Sequence, residues 1–282
     1  EVVVTASTGN AGAALAGMSA AIGQKAVIFA PKSAPPAKVA QLIVFGAKVI
    51  LVDGTYDDAF DLTIQAAQEF NWYCRNTGYN PFTAEGKKTA AFEIWEWVCR
   101  KQGRCFARDA RKAAEDLARL AIFVSVGDGN IISGIYKGFS DLLQLGWIEK
   151  LPRIFGVQAQ GSAAVANAFN SGGEQIHPVK ADTLADSISV DLPRDGVRAV
   201  RAARRTGAGY IVVSDEEILR AITELGKVGI FAEPAGATSY AGLVKAVEQG
   251  VIHADDWVMV INTGSGLKDV RAAIRAAPEA PI

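Results

Sequence analysis

At 282 residues the chain is long enough for one large domain or two intermediate ones. Half of it is hydrophobic and 21% is charged, an ordinary globular balance, and the net charge of −1 shows no bias toward nucleic acid or an anionic membrane surface. No apolar run approaches the ~18 residues of a membrane span. Cys74, Cys99 and Cys105 are odd in number and lack metal-type spacing with His177 and His253, which argues against a zinc site. They are expected to be reduced packing residues of a cytoplasmic protein. The chain carries no charged-then-apolar targeting pattern at its start.

In chain order, Glu1-Val2-Val3-Val4-Thr5 reads as a buried strand, and Ala6-Ser7-Thr8-Gly9-Asn10-Ala11-Gly12 turns from it into an Ala/Gly-rich helix. Such a corner offers free N–H groups and the positive end of a helix dipole to an anion. A first buried strand that begins at Glu1 itself leads us to expect a segment preceding it. Residues 26–30 form the next strand and 37–45 a helix closed by Gly46. Strand 48–52 and helix 56–70 follow. Further strands are predicted at 122–126, 154–159, 210–213 and 257–262, and helices at 87–99, 131–145, 214–226 and 237–249. Ser214 with Glu217 three residues on is a capping-box start. Apolar strands alternating with helices imply an α/β fold with a largely parallel sheet covered on both faces. Residues 99–119 read as a basic-leaning solvated helix face, and 171–195 as a loop excursion near a site or an interface.

In such sheets ligands sit beyond the carboxyl ends of strands. Two further strand ends are rich in glycine. Val126-Gly127-Asp128-Gly129-Asn130-Ile131 suits a phosphate, although a plain tight turn explains it nearly as well. A dinucleotide fingerprint is disfavoured because Ile132 stands at the third glycine position. The other is Ile261-Asn262-Thr263-Gly264-Ser265-Gly266. Three such ends can converge on one phosphate-bearing cofactor.

Taken together with Asn80-Pro81, Glu85-Gly86-Lys87-Lys88-Thr89, Val213-Ser214-Asp215-Glu216-Glu217 and Phe231-Ala232-Glu233-Pro234-Ala235-Gly236, these motifs resemble the threonine synthase family. That family belongs to the fold-type-II pyridoxal-phosphate enzymes. The resemblance is collinear over nearly the whole chain. It implies a two-lobed α/β architecture of mostly parallel sheets, a smaller lobe at 1–75 and a larger one at 76–282. Pyridoxal 5′-phosphate would lie in the cleft, the substrate would be a small amino acid, and the protein would be a homodimer with no nucleic-acid or membrane partner.

The resemblance also implies roles. Asn10 would bond the ring hydroxyl oxygen. Gly127, Asp128, Gly129, Asn130 and Ile131 would wrap the cofactor phosphate. Thr263 would meet the pyridine nitrogen, where a neutral hydroxyl weakens the electron sink and favours elimination and replacement. Ser7 and Thr8 would handle the substrate carboxylate or phosphate, with Asn76, Thr77, Thr83 and Lys88 on the same substrate side. The implied activity converts O-phosphohomoserine and water to threonine and phosphate.

There are departures. The family's Schiff-base lysine lies upstream of the Ser-Thr-Gly-Asn loop, so it is expected upstream of Glu1, with no catalytic residue inside the chain. The chain as given is therefore expected to be an N-terminally truncated piece, inactive by itself. Thr83 stands where an arginine usually grips the substrate phosphate. Arg194 is the candidate replacement, with a plain surface arginine as the alternative. Asp128 would bring negative charge to the phosphate loop, so its side chain must turn away or bond backbone N–H groups. The loss of the arginine keeps a serine/threonine dehydratase or other β-replacement enzyme open. A lysine-free binding or regulatory subunit is the alternative outside enzymes.

Overall fold

The computed structural model describes residues 1–7, 9–101, 117 and 119–277. Its strands form two four-stranded sheets in which all pairings are parallel. The first contains β1 (Val2–Ala6), β2 (Lys25–Pro31), β3 (Lys48–Val52) and β4 (Tyr73–Cys74), in the order β3-β2-β1-β4. The second contains β5 (Leu120–Ser125), β6 (Arg153–Ala159), β7 (Tyr210–Val213) and β8 (Trp257–Val260), in the order β7-β6-β5-β8. Each sheet therefore winds one way from its first strand and then reverses. The reversal leaves a crevice at the carboxyl ends of β1 and β4 in one sheet, and of β5 and β8 in the other.

The first strand departs from expectation at its start. Glu1 is exposed and stands outside β1, whose burial deepens only toward Val4, Thr5 and Ala6. An unpaired carboxylate is costly to bury, so Glu1 keeps its side chain in water while its carbonyl accepts from the Gln24 amide.

Period-2 alternation explains the second core. Leu120, Ile122 and Val124 of β5 face a cluster with Ile135, Phe139 and Leu142, while Ala121 and Phe123 face the opposite cluster with Phe155 and Ile222. All six residues of β5 are buried, as a central parallel strand requires. Phe123 and Phe155 stack with centroids 5.0 Å apart.

The helices are α1 (Asn10–Ala21), α2 (Pro36–Val44), α3 (Tyr56–Glu69), α4 (Phe82–Lys87), α5 (Thr89–Lys101), α6 (Asn130–Gln144), α7 (Ala164–Asn170), α8 (Gly196–Arg205), α9 (Asp215–Lys227), α10 (Pro234–Glu248) and α11 (Val270–Ala276). Ser214 and Glu217 form the expected capping box on α9, and Thr55 with Asp58 forms another on α3. The helix predicted at 87–99 is in fact two, broken at Lys88. The pattern missed β4, only two residues long, and α8, whose arginines mask the small buried face of Ala199, Val200, Ala202 and Ala203. It also missed the short α7 and α11. Most of the 99–119 stretch lies outside the described residues. Among the described residues, no helix is long and apolar enough to cross a membrane.

Candidate functional site

Four strand ends build the site. After β1, the Ser7 hydroxyl accepts from the N–H groups of Gly9 (3.2 Å) and Gly12 (3.0 Å), starting α1. This places Asn10 in the first turn, facing the segment beyond β8. Its Nδ2 donates to Glu233 Oε1 and to the Thr263 carbonyl, both at 2.7 Å, and its Oδ1 accepts from Lys268 Nζ. The fit is close. A Cβ on Gly264 would lie 2.1 Å from Glu233 Oε1 and 2.7 Å from Asn10 Nδ2. Glu233 is buried, and that burial raises its carboxyl above the usual range against the opposing pull of Lys38 and the Asn10 hydrogen bond. Lys38, buried at the start of α2, donates to Asp186 (2.7 Å) and to the Ser187 hydroxyl (3.2 Å) in the segment before α8. Glu1 takes no part, because it precedes the amino end of β1, the end away from this crevice.

After β5 the chain turns through Gly129 at φ 92°, a left-handed conformation, into α6. The first turn of α6 has no side-chain cap and no acidic residue, so its N–H groups remain to serve an anion. The loop is held tightly from behind. A Cβ on Gly127 would approach Ile188 Cα to 3.0 Å, and one on Gly129 would approach the Ala199 methyl to 2.7 Å. Asp128 turns to other donors, as expected. Its carboxylate accepts from the Tyr56 hydroxyl (3.0 Å) and from the Arg194 N–H (3.2 Å). Burial pushes this carboxyl up to about 6. Asn130 donates to Asp195 Oδ2 and accepts from Lys87 Nζ, both at 2.7 Å.

Other residues singled out from the sequence sit differently. Asn76 is fully buried and braces the fold, accepting from the Ala6 N–H (2.7 Å) and donating to the Phe60 carbonyl (3.2 Å). The buried Thr83 hydroxyl donates to the Asn80 carbonyl at 2.7 Å. Lys88 is tied to Glu85 (2.6 Å) and Asp141 (3.0 Å). Arg194, the candidate phosphate clamp, instead pairs with Asp57 (2.7 Å) and Asp61 (3.4 Å) of α3 and lies over the Phe60 ring. Its Nη2 is held by these two acids of α3, while its Nε is buried without a hydrogen-bond partner. Thr77 is half-buried beside Asn76, Ile131 is half-buried in the first turn of α6, and Thr8 lies outside the described residues.

Sequence reasoning missed Arg75, Lys87, Glu233, Lys38 and Lys268. Glu233 left a signal inside the Phe231–Gly236 motif, and so did Lys87 inside Glu85-Gly86-Lys87-Lys88-Thr89. Burial brings its amine down to about 8, with the nearby Arg75 charge as the next cause.

A site at the switch points of two parallel sheets, with glycine-lined strand ends and a bare helix N-terminus, is that of an α/β enzyme holding a phosphate-bearing cofactor. The chain belongs to the pyridoxal-phosphate dependent enzyme family, whose sequence pattern matches residues 1–264. Within that family it is similar to threonine synthases. It is 40% identical to the threonine synthase of Methanocaldococcus jannaschii over 99% of the chain and 65% of that protein's length. It is 36% identical to that of Mycobacterium tuberculosis over 98% of the chain and 71% of the relative. The chain thus spans about two thirds of the length of these relatives. The fold is shared with Escherichia coli diaminopropionate ammonia lyase, solved in complex with an aminoacrylate-PLP azomethine intermediate (TM-score 0.77, 21% identity, 98% of this chain and 70% of that one). It is also shared with the processed form of threonine deaminase isoform 2 from Solanum lycopersicum (TM-score 0.76, 22% identity, 98% and 69%).

Proposed function

We propose that this chain is the cofactor- and substrate-holding body of a threonine synthase-type lyase that converts O-phosphohomoserine and water to threonine and phosphate. The observation that carries the reading is the near full-chain match at 36–40% identity to proteins of that name. The reading is supported by Asn10, the 127–131 loop and Thr263 following the carboxyl ends of β1, β5 and β8. The residues present suit pyridoxal phosphate. The uncapped first turn of α6 and the left-handed Gly129 offer donors to its phosphate. In this reading the loop 127–131 holds the phosphate, Asn10 the ring hydroxyl oxygen and Thr263 the pyridine nitrogen. When bound, the cofactor supplies an electron sink for carbanion chemistry on an amino acid.

The chain's own residues then do three things. Glu233 and Lys268 fix the Asn10 amide in one orientation, which steers the ring plane. Tyr56 and the Arg194 N–H draw the Asp128 carboxylate away from the loop, so that it does not repel a phosphate. Ser7 fixes the α1 corner where the substrate carboxylate would approach. The intact gene product, supplied with cofactor and O-phosphohomoserine, is expected to release phosphate and threonine in equal amounts, with no ketoacid. Ketoacid from serine or threonine, with no phosphate release from O-phosphohomoserine, would replace this reading with the dehydratase one.

A further inference from the structure

Two cations near the phosphate loop have no assigned work. Arg75 follows β4 directly and is fixed there by its main chain, which donates to the Val4 carbonyl (2.8 Å) and accepts from the Thr5 hydroxyl (3.4 Å). Its Nη1 is buried and has no hydrogen-bond partner. Lys87, the last residue of α4, packs its Cβ close to Gly134 of α6 and reaches Asn130 of the loop. Among the described residues neither cation has a carboxylate within 4.0 Å. The nearby acids are engaged elsewhere: Asp128 with Tyr56 and Arg194, Asp195 with Asn130 and Arg198. Burial holds both cations below their ordinary values, and Arg75 adds to the effect on Lys87. A buried guanidinium N–H without an acceptor beside a second partly desolvated cation is costly, and an anion between them removes the cost.

We infer that Arg75 and Lys87 together form the subsite for the phosphate monoester of the substrate, supplying the cationic grip that Thr83 lacks. The inference rests on the proposed activity and assigns its specificity. The ends of β4 and α4 bring this pair to the same crevice as the loop, and Lys87 touches the loop through Asn130. Arg194 already has carboxylate partners in Asp57 and Asp61 of α3, whereas Arg75 and Lys87 have none among the described residues.

The test uses the intact gene product carrying Arg75→Gln, Lys87→Gln or Lys87→Arg. Three quantities are read: the KM and kcat for O-phosphohomoserine, the affinity for inorganic phosphate by titration calorimetry, and the affinity for pyridoxal phosphate by absorbance. Arg75→Gln and Lys87→Gln are each expected to raise KM and weaken inorganic phosphate at least tenfold, with kcat and cofactor affinity changed less than threefold. Lys87→Arg is expected to restore most of the loss. Thermal melts that match the parent separate this from misfolding. If a variant unfolds, the Lys87→Arg comparison carries the test. Turnover of O-phosphohomoserine with unchanged KM in both glutamine variants would overturn the subsite and leave the proposed activity standing. Weakened pyridoxal phosphate with unchanged substrate KM would also overturn it, because the pair would then serve the cofactor's phosphate. Absence of turnover in the parent, with phosphate binding that still depends on Arg75 and Lys87, would remove the proposed substrate but keep the phosphate subsite.

Discussion

Asn10 Nδ2 donates to the Thr263 carbonyl at 2.7 Å across 253 residues of sequence, joining the first turn of α1 to the segment beyond β8. The same nitrogen holds Glu233, so one amide ties the two sheets at the place where the cofactor ring is proposed to lie. Asn10→Ala removes these donors. The dissociation constant for pyridoxal phosphate, read by absorbance titration, is expected to rise about tenfold, because the ties that fix this corner on Glu233 and Thr263 are lost. Asn10→Asp should be worse, since it sets a second carboxylate against Glu233.

Gly129 tests the phosphate loop. Its φ of 92° disfavours any side chain, and an added methyl would sit 2.7 Å from the Ala199 methyl. Gly129→Ala is expected to cost about 1–3 kcal/mol in urea unfolding and to weaken cofactor binding, because the backbone must shift to relieve both strains.

Asp128 makes stability depend on pH. Its carboxyl titrates at about 6 when folded, against an ordinary 3.8. Between those values the folded state keeps a proton that the unfolded chain has lost. The contribution is therefore fully present below about pH 4 and lost as pH rises through about 6. Asp128→Asn keeps an acceptor for the Arg194 N–H and cannot titrate. Its urea midpoint should gain on the parent's between pH 4 and pH 7.

Lys38 of α2 and Asp186 meet in a 2.7 Å contact in which only the lysine is deeply buried. Asp186→Ala leaves the amine with Ser187 alone and is expected to cost about 1–3 kcal/mol. Adding Lys38→Met should recover part of that loss, because the unpaired buried charge goes too. Equal losses in the single and double variants would show that the pair carries no such penalty.

Much of the fold was legible because strands such as Leu120–Ser125 are continuously apolar and helices such as Asp215–Lys227 carry a capping box. The glycine-rich strand ends were legible for a similar reason, since close backbone approach and left-handed turns demand glycine. Other features left no local trace. The two residues of β4 are too few for a period, and the small residues buried on α8 are outweighed by its arginines. Lys88 and Arg194 looked available for a substrate, because charge pairing is a property of neighbours and not of a residue type. Arg194 pairs with Asp57, 137 residues away, and Lys88 adds Asp141, 53 residues away, to its local partner Glu85.

Local pattern and backbone freedom were enough to specify the alternation of strands and helices, the family resemblance and the three glycine-rich strand ends. The tertiary structure decided what those ends meet. Two sheets wound in the same order bring Asn10 to Thr263 and Glu233, and Lys87 to Asn130. They also commit Arg194 to α3 and leave a buried nitrogen of Arg75 without an acceptor. Which charges are satisfied and which remain open to a ligand depends on desolvation and distance, and these exist only once the chain has folded.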